Sequence, residues 1–442
     1  MKKSKRQELQ RSLARQFLER HQPGQAHPVM EQWRPMAKTA LIEEGLPVYR
    51  EEDYKYFKID QFLSEDRHIT ITPKLSSEET KAYACRLTYP DVHQAYLVGG
   101  RVSSTVNSQE FFVGSIDDFE LKHPGVAAKY YNQMASARKA PLTQLNTLYA
   151  QDLFVLHIPK GVKVEKPIHL IHYAGTAAEV STLTFPRILV IAEANSSATL
   201  LLCDHGNTDT DSAYIGAIEI YAQKGAGIHY YNVEETGTHS LRLMDTHIHQ
   251  EQDSNVVVDS ITMQNGTTRN NYYCDLAGEN AHLDLDGLGL LDGDKQLDSW
   301  SLIRHSVPNC FSDELFKYTM NDSSVGAFSG RIYVAKDAQK TMAYQNNRNL
   351  LLSDKAKMYS KPQLEIYADD VKCSHGMTTG ELDDLAIFYL QQRGIPKMEA
   401  RLMLTAAFMT EVLDKITYQP LRERLEATLD KRYRGIPSNC KQ

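Results

Sequence analysis

Between about Asp152 and His375 the chain never settles into a helical period. Short runs of alternating apolar and polar residues follow one another instead: "ATLLLCDH", "AIEIYAQ", "AGIHYYNVE", "SLRLMDTHIHQ", "NVVVDSITM", "NNYYCDLA", "AHLDLDGLGLL", "DSWSLIRHS", "ELFKYTM", "SGRIYVA", "NLLLSDKA" and "QLEIYADDVKCSH". Turn-forming clusters such as "AQKGAG", "QNGT", "AGENA" and "DGDK" separate them. Many close, evenly spaced strands permit a sandwich, a barrel or a solenoid. The stretch is long for one sandwich. A parallel β-helix accounts for it, because each coil needs only its neighbours to bury its core. The expected fold class is therefore mainly β, with a right-handed parallel β-helix core flanked by N-terminal and C-terminal α-helical domains. The expected division is residues 1–145, 146–380 and 381–442. A solenoid exposes strand edges at both ends, which invite pairing with other chains. Helical caps or a partner's strands must cover them, and the C-terminal helices would supply one cap.

The chain has 442 residues and a net charge of −7 with both signs interspersed, so nothing marks a nucleic-acid binder. No run of about 18 apolar residues occurs to span a membrane. The basic start "MKKSKRQELQRSLARQFLER" imitates a mitochondrial presequence, but Glu8 and Glu19 argue against one and no apolar signal-peptide core follows. Leu9, Leu13 and Phe17 recur every four residues and predict a surface helix. "EQWRPMAKTALIEEGLP" predicts another, stopping at Gly45, and "HPGVAAKYYNQMASARKA" a third. Cys85, Cys203, Cys274, Cys310, Cys373 and Cys440 are scattered with no CxxC pair. That spacing gives neither a disulfide framework nor a preassembled metal centre, and it fits a reducing, cytoplasmic location.

After the strands the pattern turns helical. Leu382, Leu385, Ala386, Tyr389 and Leu390 fall on one face of a first helix, which ends at Gly394. Pro396 suits the first turn of the next, over about 397–416. This second helix carries two apolar stripes. Met398, Leu402, Ala406, Met409, Leu413 and Ile416 form one; Leu404, Phe408 and Val412 lie roughly opposite. A surface helix needs only one apolar face. The second stripe either meets a neighbouring helix or docks another protein.

The chemistry concentrates in "DDVKCSHGMTTG". Residues i and i+2 of a strand share a face, so Cys373 and His375 project together, with Lys372 and Ser374 opposite. Thiolate plus imidazole suits soft or borderline metals, but two donors do not close a site. The pair is either packing or half of a shared site. His247 and His249 also stand at i, i+2, which alternating strands produce by chance. Asp284, Asp286, Asp292 and Asp294 lack the spacing of a calcium loop and read as a solvated turn. No GxxxxGK[ST], GxSxG or HExxH motif occurs, so no machinery for ATP hydrolysis or acyl transfer is present and no enzyme is expected.

The long run "QKTMAYQNNRNLLLSDKAKMYSKPQLEIYADDVKCSHGMTTGELDDLAIFYLQQRGIPKMEARLML" resembles the SufB/SufD family of iron–sulfur cluster assembly proteins. "IPKGVKVEKPIHL", "HSVPNCFSDELFKYTMND" and "EEGLPVYREEDYKYFKID" are further family-like blocks, the last with Tyr54 where the family typically has Trp. "DDVKCSHG" and "FYLQQRGI" look like the SufD branch. The SufB branch has a cysteine shortly before its "DKA" stretch, where this chain has Asn347, and a glutamate where this chain has Gly376. The resemblance implies pairing with SufB through the β-helix cores and docking of the SufC ATPase on the C-terminal helices, for which Leu404, Phe408 and Val412 are the candidate contacts. A homodimer is the alternative pairing when SufB is absent. It also implies a nascent cluster, or iron, held at the SufB–SufD interface, with His375 as the stronger donor and Cys373 as the weaker. It leaves room for reduced flavin in the complex and implies no cofactor held tightly by the isolated chain. The alternatives are a SufB-like cluster scaffold and a β-helix carbohydrate-active enzyme.

Overall fold

The computed structural model describes residues 3–69, 75–76, 79, 89, 91–136, 140–174, 181–206 and 211–436; Cys85 and Cys440 lie outside them. Its centre is a two-sheet parallel solenoid. The strands are β1 (Phe154–Ile158), β2 (Ile168–Tyr173), β3 (Arg187–Ala192), β4 (Ser197–His205), β5 (Ser212–Ala222), β6 (Gly227–Glu235), β7 (Leu241–Gln250) and β8 (Asn255–Gln264). They continue as β9 (Thr267–Leu276), β10 (His282–Leu291), β11 (Gln296–His305), β12 (Phe311–Met320), β13 (Val325–Val334), β14 (Met342–Leu351), β15 (Lys357–Ile366) and β16 (Lys372–Gly380). Odd strands build one sheet and even strands the other. Register is kept from coil to coil, so that Leu283, Ser312, Ala343 and Cys373 stack in one column.

The turns entering the even strands explain how this sequence keeps that register. Asn195, Gly225, Asp253, Asn280, Asn309 and Lys340 each take a left-handed conformation, once per coil. Glycine, Asn and Asp reach that region at little cost. The N–H groups of Asn195, Gly225, Asp253, Asn309 and Lys340 each donate to a carbonyl of the next coil's turn. Inside, Val190, Leu200, Ile218, Ile220, Val256, Val258, Leu285, Ile303 and Ile332 are fully buried.

Both sheets are also covered from outside. The N-terminal helices α1 (Lys3–Arg20), α2 (Arg34–Glu44) and α3 (Pro141–Tyr149) bury Leu13, Phe17, Leu41 and Leu145 in one cluster with Leu189, Ile191, Ile215 and Leu243 of the odd sheet. α1 is a surface helix whose predicted stripe divides: Leu9 is exposed, and Leu13 and Phe17 are core. α2 ends where expected: Gly45 has φ +86° and lies so close to α1 that a Cβ would sit 2.4 Å from the Gln10 backbone carbon. The third predicted helix is broken, because Asn132 turns left-handed between Ala127–Tyr130 and Gln133–Ser136. Its N–H donates to Glu219, which pairs with buried Arg187 at 2.6 Å, so a buried ion pair outweighs helical continuity.

The two ends of the solenoid differ. At the first coil Phe112–Ser115 pairs antiparallel to β1 and His93–Val98 pairs parallel to β2. At the last coil no described strand pairs beyond β15 and β16. Of the C-terminal helices, α4 (Asp384–Gln392) follows β16 directly, while α5 (Lys397–Leu413) and α6 (Gln419–Tyr433) do not form the cap expected of them. α5 and α6 lie along the outer face of the even sheet, with Met409, Val412, Leu413, Ile416, Leu421 and Leu425 packed on Leu201, Val233, Ile261, Leu288 and Leu315.

Candidate functional site at the open end of the solenoid

β16 is the edge of the even sheet, and most of its residues are exposed. Its odd-numbered residues continue the columns that line the interior: Cys373 extends Ala343, His375 extends Gln345 and Met377 extends Asn347. Cys373 and His375 therefore share the lumen side of the last strand, as their spacing predicts. Their surroundings differ. Cys373 is half-buried against the interior core, and that burial pushes its thiol pKa above the ordinary value. At neutral pH it is a protonated, packed group, and a neutral thiol is a poor ligand. His375 is exposed at the mouth. Among the described residues, no three of His, Cys, Asp and Glu converge to hold a metal ion.

Beneath His375 the lumen is polar. Gln345 is fully buried, and its Nε2 donates to Glu314 Oε2 at 2.6 Å. Burial pushes the Glu314 carboxyl up to about 7, against the pull of hydrogen bonds that include this one. Glu314 Oε1 and Gln345 Oε1 are both buried without a partner. Gly330 on the opposite sheet makes the room, since a Cβ there would lie 2.3 Å from Gln345 Nε2. Asn347, next along β14, is fully buried and donates to the Phe316 carbonyl at 3.3 Å.

The other sequence candidates are structural. His247 is buried, stacks on Tyr273 at 4.7 Å and shares a 2.8 Å contact with Thr143 of α3; His249 is half-buried on the same face. Asp286, expected in a solvated turn, is buried on β10 and bonded to Lys415 at 2.8 Å; Asp292 pairs with Arg432 at 2.7 Å. Asp284 contacts His282 at 3.1 Å, and Asp294 is exposed. Asp286 and Asp292 thus tie the C-terminal helical segment to the solenoid.

The stripe of Leu404, Phe408 and Val412 is not an open face. Val412 is fully buried, Leu404 and Phe408 are half-buried, and Lys317 Nζ lies 4.8 Å over the Phe408 ring. This stripe faces the solenoid because the partner that covers it is a sheet, not a neighbouring helix. The exposed apolar residues here are instead Leu385 (78% exposed), Phe388 (59%), Tyr389, Met398 (68%) and Met403. A cavity of about 290 Å³ opens between α5 and α6, lined by Leu402, Met403, Ala406, Leu429 and Tyr433 with Glu399 and Glu426.

A parallel solenoid whose first coil is covered by the chain's own strands and whose last coil is followed by no described strand defines a class of β-solenoid protein with a free pairing edge. The chain belongs to the SufBD family of the SUF iron–sulfur cluster assembly system: the family model described as "SUF system FeS cluster assembly, SufBD core domain" matches residues 173–408, and "SufBD protein N-terminal region" matches 10–170. It is similar to the iron–sulfur cluster assembly protein SufD of Escherichia coli, 27% identical over 89% of this chain and 91% of that one. It is also similar to a SufBD family protein of Synechocystis sp., 28% identical over 91% of each chain, and to SufD of Bacillus subtilis, 24% identical over 70% and 71%. No helix among the described residues is long and apolar enough to cross a membrane.

Proposed function

We propose that this chain is a cytoplasmic, SufD-like assembly component that pairs with SufB through its open solenoid end, binds the SufC ATPase through its C-terminal helices and contributes His375 to a nascent cluster, or iron, held between the two solenoids. The observation that carries this reading is the bare end itself. Unpaired edges on β15 and β16 are a template for a partner's strands, and a donor pair too small to close a site lies on that edge. Cargo held there needs ligands from a second chain. The SufD-like assignment rests on Asn347, buried and hydrogen-bonded where SufB has a cysteine. SufC docking is supported by the exposed Leu385, Phe388 and Met398 and by the groove between α5 and α6.

The test is co-expression with SufB and SufC. The three chains should copurify. His375→Ala should leave the assembly intact and abolish cluster formation on anaerobic reconstitution, while Cys373→Ser should be milder. Normal cluster yield from an intact His375→Ala complex refutes the shared site.

A further inference from the structure

A histidine that binds a metal through one ring nitrogen almost always donates the N–H of the other to a second residue, which fixes its tautomer and orientation. His375 is exposed on a strand with no described strand beyond it. The residue beside it in register is Gln345, one strand spacing (about 4.8 Å) inward. Gln345 is fully buried and has one acceptor, Oε1, without a partner. A buried acceptor left unbonded is costly and asks for an explanation. The amide is oriented from below, because its Nε2 is committed to Glu314 Oε2 at 2.6 Å. Gly330 leaves the space in which the side chain crosses the lumen.

We propose that Gln345 is the positioning residue for His375: its Oε1 receives one ring N–H and aims the other nitrogen outward at the metal shared with the partner, while Glu314 holds the amide in that orientation. This rests on the reading of His375 as a ligand. In this arrangement Gln345 and Glu314 supply a second layer of support, and neither touches the cargo.

The experiment measures Fe²⁺ binding, added anaerobically to the purified complex, for four forms of the chain whose folding is verified by circular dichroism. His375→Ala should lose the interface site. Gln345→Leu, which keeps bulk but removes the acceptor, should weaken Fe²⁺ binding about 10- to 100-fold, the range for loss of an outer-shell partner. The swapped pair Glu314→Gln with Gln345→Glu keeps the total charge, the mutual hydrogen bond and an acceptor facing His375, so it should bind within about 3-fold of wild type. Wild-type affinity in folded Gln345→Leu overturns the inference while leaving the ligand role of His375 standing. A swapped pair as weak as Gln345→Leu also overturns it, because shape rather than the acceptor is then responsible. Unchanged binding by His375→Ala removes the ligand reading itself.

Discussion

Glu314 forms no ion pair with a described residue, and burial, with a smaller push from the neighbouring Asp313 charge, raises its carboxyl to about 7 from an ordinary 4.5. A carboxyl whose folded pKa is raised binds more protons folded than unfolded between the two values, so stability falls as pH rises through that window and levels off above it. The full span is on the order of 3 kcal/mol. Glu314→Gln removes this titration. Thermal melts of the two forms should therefore diverge in favour of the variant between pH 5 and pH 8; parallel profiles would show that Glu314 is already ionised in the fold. Gly330→Ala tests the same level of the lumen. Its Cβ would press on Gln345 Nε2, and overpacking of this kind costs about 1–3 kcal/mol by urea denaturation. The place of His375 on the last strand was legible from the sequence, but the buried Gln345–Glu314 pair beneath it was not. In "FSDELFKYTM" the alternation puts Glu314 on the opposite face from Leu315 and invites reading Glu314 as solvent-facing. The structure reverses this, with Leu315 against the C-terminal helices and Glu314 inside. When both faces of a sheet are covered, hydrophobic alternation no longer tells inside from outside.

Among the elements, α5 departs most from its sequence reading. The sequence carries two apolar stripes on this helix, but periodicity names the faces of a helix without naming what lies against them. The partners are outer-face residues of the even sheet, and the charges that fasten the helix are scattered over distant strands: Lys317 to Glu411, and Lys415 to both Asp286 and Asp313. No local spacing reveals such pairings. Removing Lys415 leaves buried Asp286 unpaired. Lys415→Met should cost on the order of 2 kcal/mol, below the 3–5 of a fully buried pair because Lys415 is about a third exposed. Met409→Ala, which opens a cavity at the same interface, should cost about 2–5 kcal/mol in chemical denaturation. Phe388→Ala on exposed α4 should change stability by no more than about 0.5 kcal/mol while weakening SufC capture. If instead Phe408→Ala weakens capture without loss of stability, the contact is on the stripe first expected, and α5 must turn its sheet-facing side outward to make it.

At the scale of the whole molecule the decisive feature is asymmetry between the two ends. The first coil is finished by the chain's own strands, and no described strand finishes the last. The strand repeat made the solenoid legible, but a repeat does not say which end is closed, because closure depends on non-repeating segments docking from elsewhere. An unpaired two-strand edge with Met358 and Leu364 half-buried and Met377 about half exposed at its mouth is an adhesive end. If this end pairs with SufB as proposed, then without SufB the same end of a second copy offers it a free edge, and the isolated chain should form a two-fold dimer at micromolar concentration. Met377→Glu places a charge in the mouth while leaving the coil below intact, since Met377 has no coil above it to disturb. In the homodimer the two charges face each other across the two-fold axis. The variant should sediment as a folded monomer in analytical ultracentrifugation, lose SufB on copurification and retain SufC, whose proposed surface lies on the helices along the even sheet. A variant that stays dimeric and still pairs with SufB would place both interfaces away from the open end, and would separate His375 from any shared cargo.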